Sequence, residues 1–138
     1  MLFRSHRKKV ETYLEQLMME EAPNISAVVG HTIGARLIAR AGSLEKFAEF
    51  PSSTVQVLGA EKALFAHLRK NAAPPKHGLI FAYPKLRGAP QKLRGKIARK
   101  LAAKLAIAAK VDFFKGQFVG DRLAAELEAE LAKLGGKK

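Results

Sequence analysis

A chain of 138 residues with 25 lysines and arginines against 12 aspartates and glutamates carries a formal charge of +13 and no cysteine. The length suits one compact domain that buries its core unaided, and the lack of cysteine excludes disulfides, thiolate metal sites and thiol nucleophiles. No apolar run reaches the roughly 18 residues of a membrane span, residues 1–7 lack the apolar core of a secretory leader, and the charge favours a polyanionic partner, nucleic acid ahead of an acidic membrane.

Residues 7–21 read as a helix whose stripe is Val10, Tyr13, Leu14, Leu17 and Met18, ended by Ala22-Pro23-Asn24. It has no capping signal at its start and looks like the end of a longer helix or a terminal helix docked on the domain. Asn24 is placed to cap a single helix running to Ala41, with Gly42 closing it. Gly30 and Gly34, four apart, suit close helix packing. Ser43 is the expected cap of a short helix over residues 44–50, stopped by Pro51. The run Val55, Val57, Leu58 fits a short strand or a first helical turn, and its pattern does not decide between them.

Residues 59–69 read as helix, with Leu64, Phe65 and Leu68 on one face. A loop with two prolines follows over residues 71–78. Residues 79–83 (LIFAY) are too short for a core helix and read as a buried extended segment, and residues 84–90 as a second loop. The longest helix is expected over residues 91–113, its stripe Leu93, Ile97, Leu101, Leu105 and Ala108. Lys92, Lys96, Arg99 and Lys110 share a different face of it, and Lys100 and Lys104 lie at the borders, where their stems cover apolar surface. A last helix over residues 119–134 turns Leu123, Leu127, Leu131 and Leu134 inward and Glu126, Glu128 and Glu130 outward, before a frayed tail at 135–138. The expected fold is all-α, a compact helical bundle.

Enzymatic chemistry has no foothold in this pattern. His6, His31, His67 and His77 are scattered without an i, i+4 pair, and neither a G-x-S-x-G turn nor a phosphate-binding G-x-x-x-x-G-K-[ST] loop is present. No metal or cofactor is expected. Three features suit a polyanion instead. The helix start Gly59-Ala60-Glu61-Lys62 would direct backbone N–H groups and the positive end of the helix dipole outward, with Lys62 adding a cation. On spacing alone, Glu61 equally well complements that dipole, with Gly59 a simple cap. The loop Lys76-His77-Gly78 offers an imidazole to stack on a base and an amine for a phosphate. The face with Lys92, Arg94, Lys96, Arg99 and Lys100 belongs to a stretch, Arg69 to Lys115, whose only carboxylate is Asp112.

Several segments in order resemble the Nop domain: residues 24–30 (NISAVVG), 34–44 (GARLIARAGSL), 59–65 (GAEKALF), 75–78 (PKHG) and 94–99 (RGKIAR), then an Ala-rich helix with Val111-Asp112. The likeness is collinear from about residue 8 to about residue 134. It implies the RNA-particle-binding module of box C/D methylation scaffolds, shared with eukaryotic nucleolar relatives and a spliceosomal assembly factor. By that resemblance residues 23–134 are the Nop domain, residues 1–22 the remnant of a coiled-coil helix and residues 135–138 a disordered tail. The partners implied are a box C/D guide RNA with a kink-turn and the small ribosomal-protein-like binder already seated on it. Fibrillarin, the methyltransferase, would be reached only through regions outside this sequence.

The expected RNA-contacting residues are Gln56, Gly59, Lys62, Arg69, Lys76, His77, Arg94, Lys96, Arg99 and Lys100, and Ala60, Glu61 and Lys62 would meet the protein partner. Ala66 departs from the arginine usual in the family, which leaves Arg69 as the candidate to replace it at the end of the guide–target duplex. The resemblance implies an archaeal cytoplasmic protein, or a nucleolar one in a eukaryote. A general basic RNA-binding domain of ribosomal-protein type is the alternative.

Overall fold

The computed structural model describes residues 2–73, 75 and 77–136, with side chains from residue 7 to residue 134. Among these the chain is all-helical: α1 (Leu2–Glu21), α2 (Pro23–Val29), α3 (His31–Ala41), α4 (Leu44–Glu49), α5 (Ser52–Val57), α6 (Glu61–Lys70), a 3-10 turn (Leu79–Ala82), α7 (Pro84–Arg87), α8 (Gln91–Phe113) and α9 (Gly120–Gly136).

Helix α8 is the axis of the bundle, packed against by α2, α4, α5 and α9. Its expected stripe is the core: Ile97, Leu101, Leu105 and Ala108 are buried, joined by Ala98, Ala102, Ala106 and Ala109. The alanines matter as much as the leucines. Their small side chains widen the buried stripe and let several short helices approach one long one closely. Leu123 and Leu127 of α9, Phe47 of α4, Val55 of α5 and Ile25 of α2 close around it. Burying such large apolar side chains contributes roughly 1.5–3 kcal/mol each, which is why this stretch outweighs any local propensity.

Several expectations are corrected. The single helix over residues 24–41 is two helices, because Gly30 sits at φ +86° and breaks the ladder. Gly34 does serve close packing: a methyl group there would come within 2.8 Å of Met18 and 2.9 Å of Ile25. Asn24 is not a cap but a buried residue inside the first turn of α2. Pro23 opens that helix, where its missing N–H costs nothing. The cap comes from 88 residues away: Asp112 accepts from the Asn24 backbone N–H at 3.0 Å and its side-chain amide at 2.7 Å, and from the Ile25 N–H at 2.9 Å. Asn24 Oδ1 accepts in turn from the Val119 N–H at 2.7 Å, tying the start of α9 to the same knot. No sequence-local pattern encodes this arrangement.

Residues 79–83 are not extended. They form the 3-10 turn with Ile80 fully buried, and α7 with buried Leu86 replaces the second expected loop. The undecided Val55–Leu58 segment is helical, α5. The stripe on α1 is only partly an inner face: Met18 is buried, whereas Val10, Tyr13 and Leu17 are exposed. The glutamates of α9 face outward into ion pairs, Glu126 and Glu130 with Lys104 at 2.9 and 3.6 Å and Glu128 with Lys85 at 3.1 Å. Capping of α4 by Ser43 is as expected, its hydroxyl accepting from Lys46 N–H at 3.1 Å.

Candidate functional site

The two loops singled out in the sequence are one structural unit. Gly78 N–H donates to the Gln56 carbonyl at 3.0 Å, and Leu79 N–H to the Leu58 carbonyl at 2.8 Å. These bonds lay residues 78–79 along the end of α5, directly beneath the turn that leads into α6. Gly59 makes the turn possible on two counts. Its φ of +96° is a conformation that L side chains rarely adopt, and a Cβ there would lie 2.6 Å from Leu79 Cγ. Gly78 is equally constrained, since a Cβ would run into the Leu58 carbonyl.

Helix α6 then has no fully buried residue, with Leu64, Ala66 and His67 half-buried. The shared apolar face is displayed in large part: Leu64 is half-buried, but Phe65 is 55% exposed and Leu68 is 68% exposed. Arg69 folds over the Phe65 ring, its guanidinium carbon 5.8 Å from the centroid, making an exposed cationic aromatic pair. Lys62 is exposed one residue into the helix. The C-terminal end is closed locally, with Asn71 in the left-handed region and His67 Nδ1 2.7 Å from the Ala72 carbonyl.

At the start of α6, Glu61 is not an open acceptor. Arg40, in the last turn of α3, donates from Nε to Oε1 and from Nη2 to Oε2, both at 3.0 Å. These bonds to Arg40 hold the Glu61 carboxyl down at about 2, against the opposing effect of partial desolvation and with help from the backbone N–H groups of Glu61 and Gly59. The carboxylate therefore answers part of the positive helix end, one of the two readings that spacing alone left open. Arg40 was missed by sequence reasoning. Its signal was present only as one more arginine 21 positions away.

His77 is placed by stacking. Its ring lies 4.4 Å from that of Phe81 at an interplanar angle of 14°, and the Arg94 guanidinium sits 5.3 Å from the centroid of the same Phe81. Arg94 also donates to the Ala89 carbonyl at 3.1 Å and the Arg87 carbonyl at 3.3 Å, so it braces the entry to α8. Lys76 lies outside the described residues. Gln56 and Ala60 are half-buried.

The basic face of α8 divides in three. Lys96 and Arg99 are exposed, on the side with Lys92 and Lys110. Arg94 is turned into the fold. Lys100 faces α9, 3.9 Å from Glu130. Among the described residues no cluster of His, Asp and Glu is arranged to hold a metal ion.

The family Nop, described as "snoRNA binding domain, fibrillarin", matches residues 1–133. The chain belongs to the Nop family. It is 58% identical over 127 residues to an uncharacterized NOP5 family protein of Methanocaldococcus jannaschii, covering 92% of this chain and 30% of that protein. To human nucleolar protein 56 it is 44% identical over 130 residues, covering 92% of this chain and 22% of the relative. This chain thus spans less than a third of the length of either of these relatives. Among solved structures, a chain of a fibrillarin/Nop5p complex superposes with a TM-score of 0.76 at 40% identity, over 95% of this chain and 49% of that one. A Nop domain thereby accounts for the all-helical architecture as well as the sequence.

Proposed function

We propose that this Nop domain binds a kink-turn RNA together with the ribosomal-protein-like protein already seated on it, for assembly of a box C/D 2'-O-methylation guide particle. The observation that carries the reading is the tying of the Gly59 turn to residues 78–79, which puts a helix start and a basic, His77-bearing loop on one surface beside a helix that buries nothing. A surface of two adjacent elements can touch two molecules at once. Lys62 and the Arg69–Phe65 pair lie on the helix side and His77 on the loop side, with Lys96 and Arg99 as phosphate contacts. Ala60 and Lys62 face the protein partner, while the Glu61 carboxylate is held by Arg40. Residues 1–22 are read as coiled-coil remnant and residues 23–134 as the binding domain. Fibrillarin is engaged through other regions of the full protein. The setting is the archaeal cytoplasm, or the nucleolus if the source is eukaryotic, the latter supported by the names of the eukaryotic relatives.

The test is a gel shift with a kink-turn RNA, with and without the primary binder. Tight binding is expected only to the binary complex, with log affinity falling against log salt at a slope of roughly −3 to −5 for ~4–6 phosphate contacts. Lys62→Ala is expected to weaken the ternary complex about tenfold, the effect of losing roughly 1.4 kcal/mol. The exposed Lys92–Lys96–Arg99–Lys110 row favours a second reading, a general basic RNA binder. Equal affinity for bare RNA and for the binary complex would select it.

A further inference from the structure

Helix α6 carries the displayed residues of the proposed surface, yet it has no buried side chain with which to hold its direction. Backbone bonds fix where it starts, at the Gly59 turn, but a turn alone leaves the helix free to pivot. Apart from the local bond of His67 to the Ala72 carbonyl at its far end, the side-chain hydrogen bonds that tie α6 to the described fold are the two between Arg40 and Glu61. They run parallel, Nε to one carboxylate oxygen and Nη2 to the other, a fork that fixes orientation as well as distance. Arg40 itself stands on α3, a helix anchored in the core through Leu37 and Gly34.

We infer that Arg40 is a positioning residue of the interface: through its two-point grip on Glu61 it aims α6, and with it Lys62 and Phe65, at the partner. The inference rests on the proposed binding function. It assigns Glu61 an internal task in place of a direct contact with the incoming protein. Lysine at position 40 keeps the charge and loses the fork, so it does not substitute.

The experiment measures ternary-complex affinity and melting temperature for Arg40→Gln, Arg40→Lys, Glu61→Gln and the Arg40→Gln/Glu61→Gln double variant, with Lys62→Ala as control. Each single change at position 40 or 61 is expected to weaken binding about tenfold with the melting temperature nearly unmoved. The double variant is expected to be no weaker than either single, because both remove the same interaction. The salt slope of Arg40→Gln should equal that of the parent, whereas loss of a phosphate contact would reduce it by about one.

Additive losses in the double variant, a reduced slope, or full affinity in Arg40→Lys would overturn the inference. If Lys62→Ala weakens binding while Arg40→Gln does not, positioning by Arg40 is wrong and the surface stands. If Lys62→Ala is also without effect, the surface itself is wrong.

Discussion

Helices α2 and α6 are both short and both follow a break in the chain, but they are held in opposite ways. In α2, Asn24, Ile25, Val28 and Val29 are buried, and its first amides are capped by an aspartate from another helix. In α6 nothing is buried, and one exposed ion pair and one glycine turn hold the start. The first is fastened by tertiary structure and contributes to the core. The second is presented by tertiary structure and contributes to the surface. A helix need not pack to be specified. It needs a fixed origin and a fixed direction, and the Gly59 turn and Arg40 supply one each.

The sharpest way to break the contrast is at the α2 end. Asp112→Ala leaves three donors from Asn24 and Ile25 without an acceptor in a buried place, and about 3 kcal/mol of stability should be lost, on the scale of 1–3 kcal/mol per unsatisfied buried group. Urea unfolding measures it, and a loss under 1 kcal/mol would mean that water replaces the carboxylate.

Gly59→Val should cost less, roughly 2 kcal/mol, from positive φ and the clash with Leu79. It should also separate the turn from residues 78–79 and depress ternary binding by more than its stability loss explains. The double change Phe65→Ser/Leu68→Ser should sit at the other end of the scale, within about 0.5 kcal/mol of the parent by thermal melting, while weakening the ternary complex. A large drop in stability there would show that α6 packs after all.

The smallest effect is electrostatic. Glu61 is held at about 2 in the fold against an ordinary value of 4.5, so its contribution is fully present above pH 4.5 and fades as pH falls toward 2. The stability difference between the parent and Glu61→Gln should therefore shrink across that window. A difference constant with pH would mean that the pair with Arg40 is not formed in solution. Being exposed, the pair should also weaken as salt rises.

The long helix α8 was legible from its 3.6-residue stripe because many buried positions repeat the same signal, and the resemblance carried the chain order of the site. The local caps that use adjacent residues, such as Ser43 on α4, were legible too. What the sequence hid was every feature made by distant partners. Asn24 has the chemistry of a cap, and only the arrival of Asp112 turns it into a buried residue. Phe65 and Leu68 share a helical face by periodicity, but periodicity does not say whether a partner helix exists to receive them. The acid-poor window from Arg69 to Lys115 exaggerated the free basic face, because Lys85, Lys100 and Lys104 meet glutamates that arrive with α9. Arg94 looked like a phosphate ligand for the same reason, whereas its guanidinium is occupied by two carbonyls and the Phe81 ring.

A helix that buries nothing has a further consequence for how this protein can change over time. Substitutions at its exposed positions, such as Lys62, Phe65 and Leu68, should cost the fold little, so their effect is read mainly through the partner. Half-buried Ala66 lies between the two regimes: an exchange there meets both the fold and the partner.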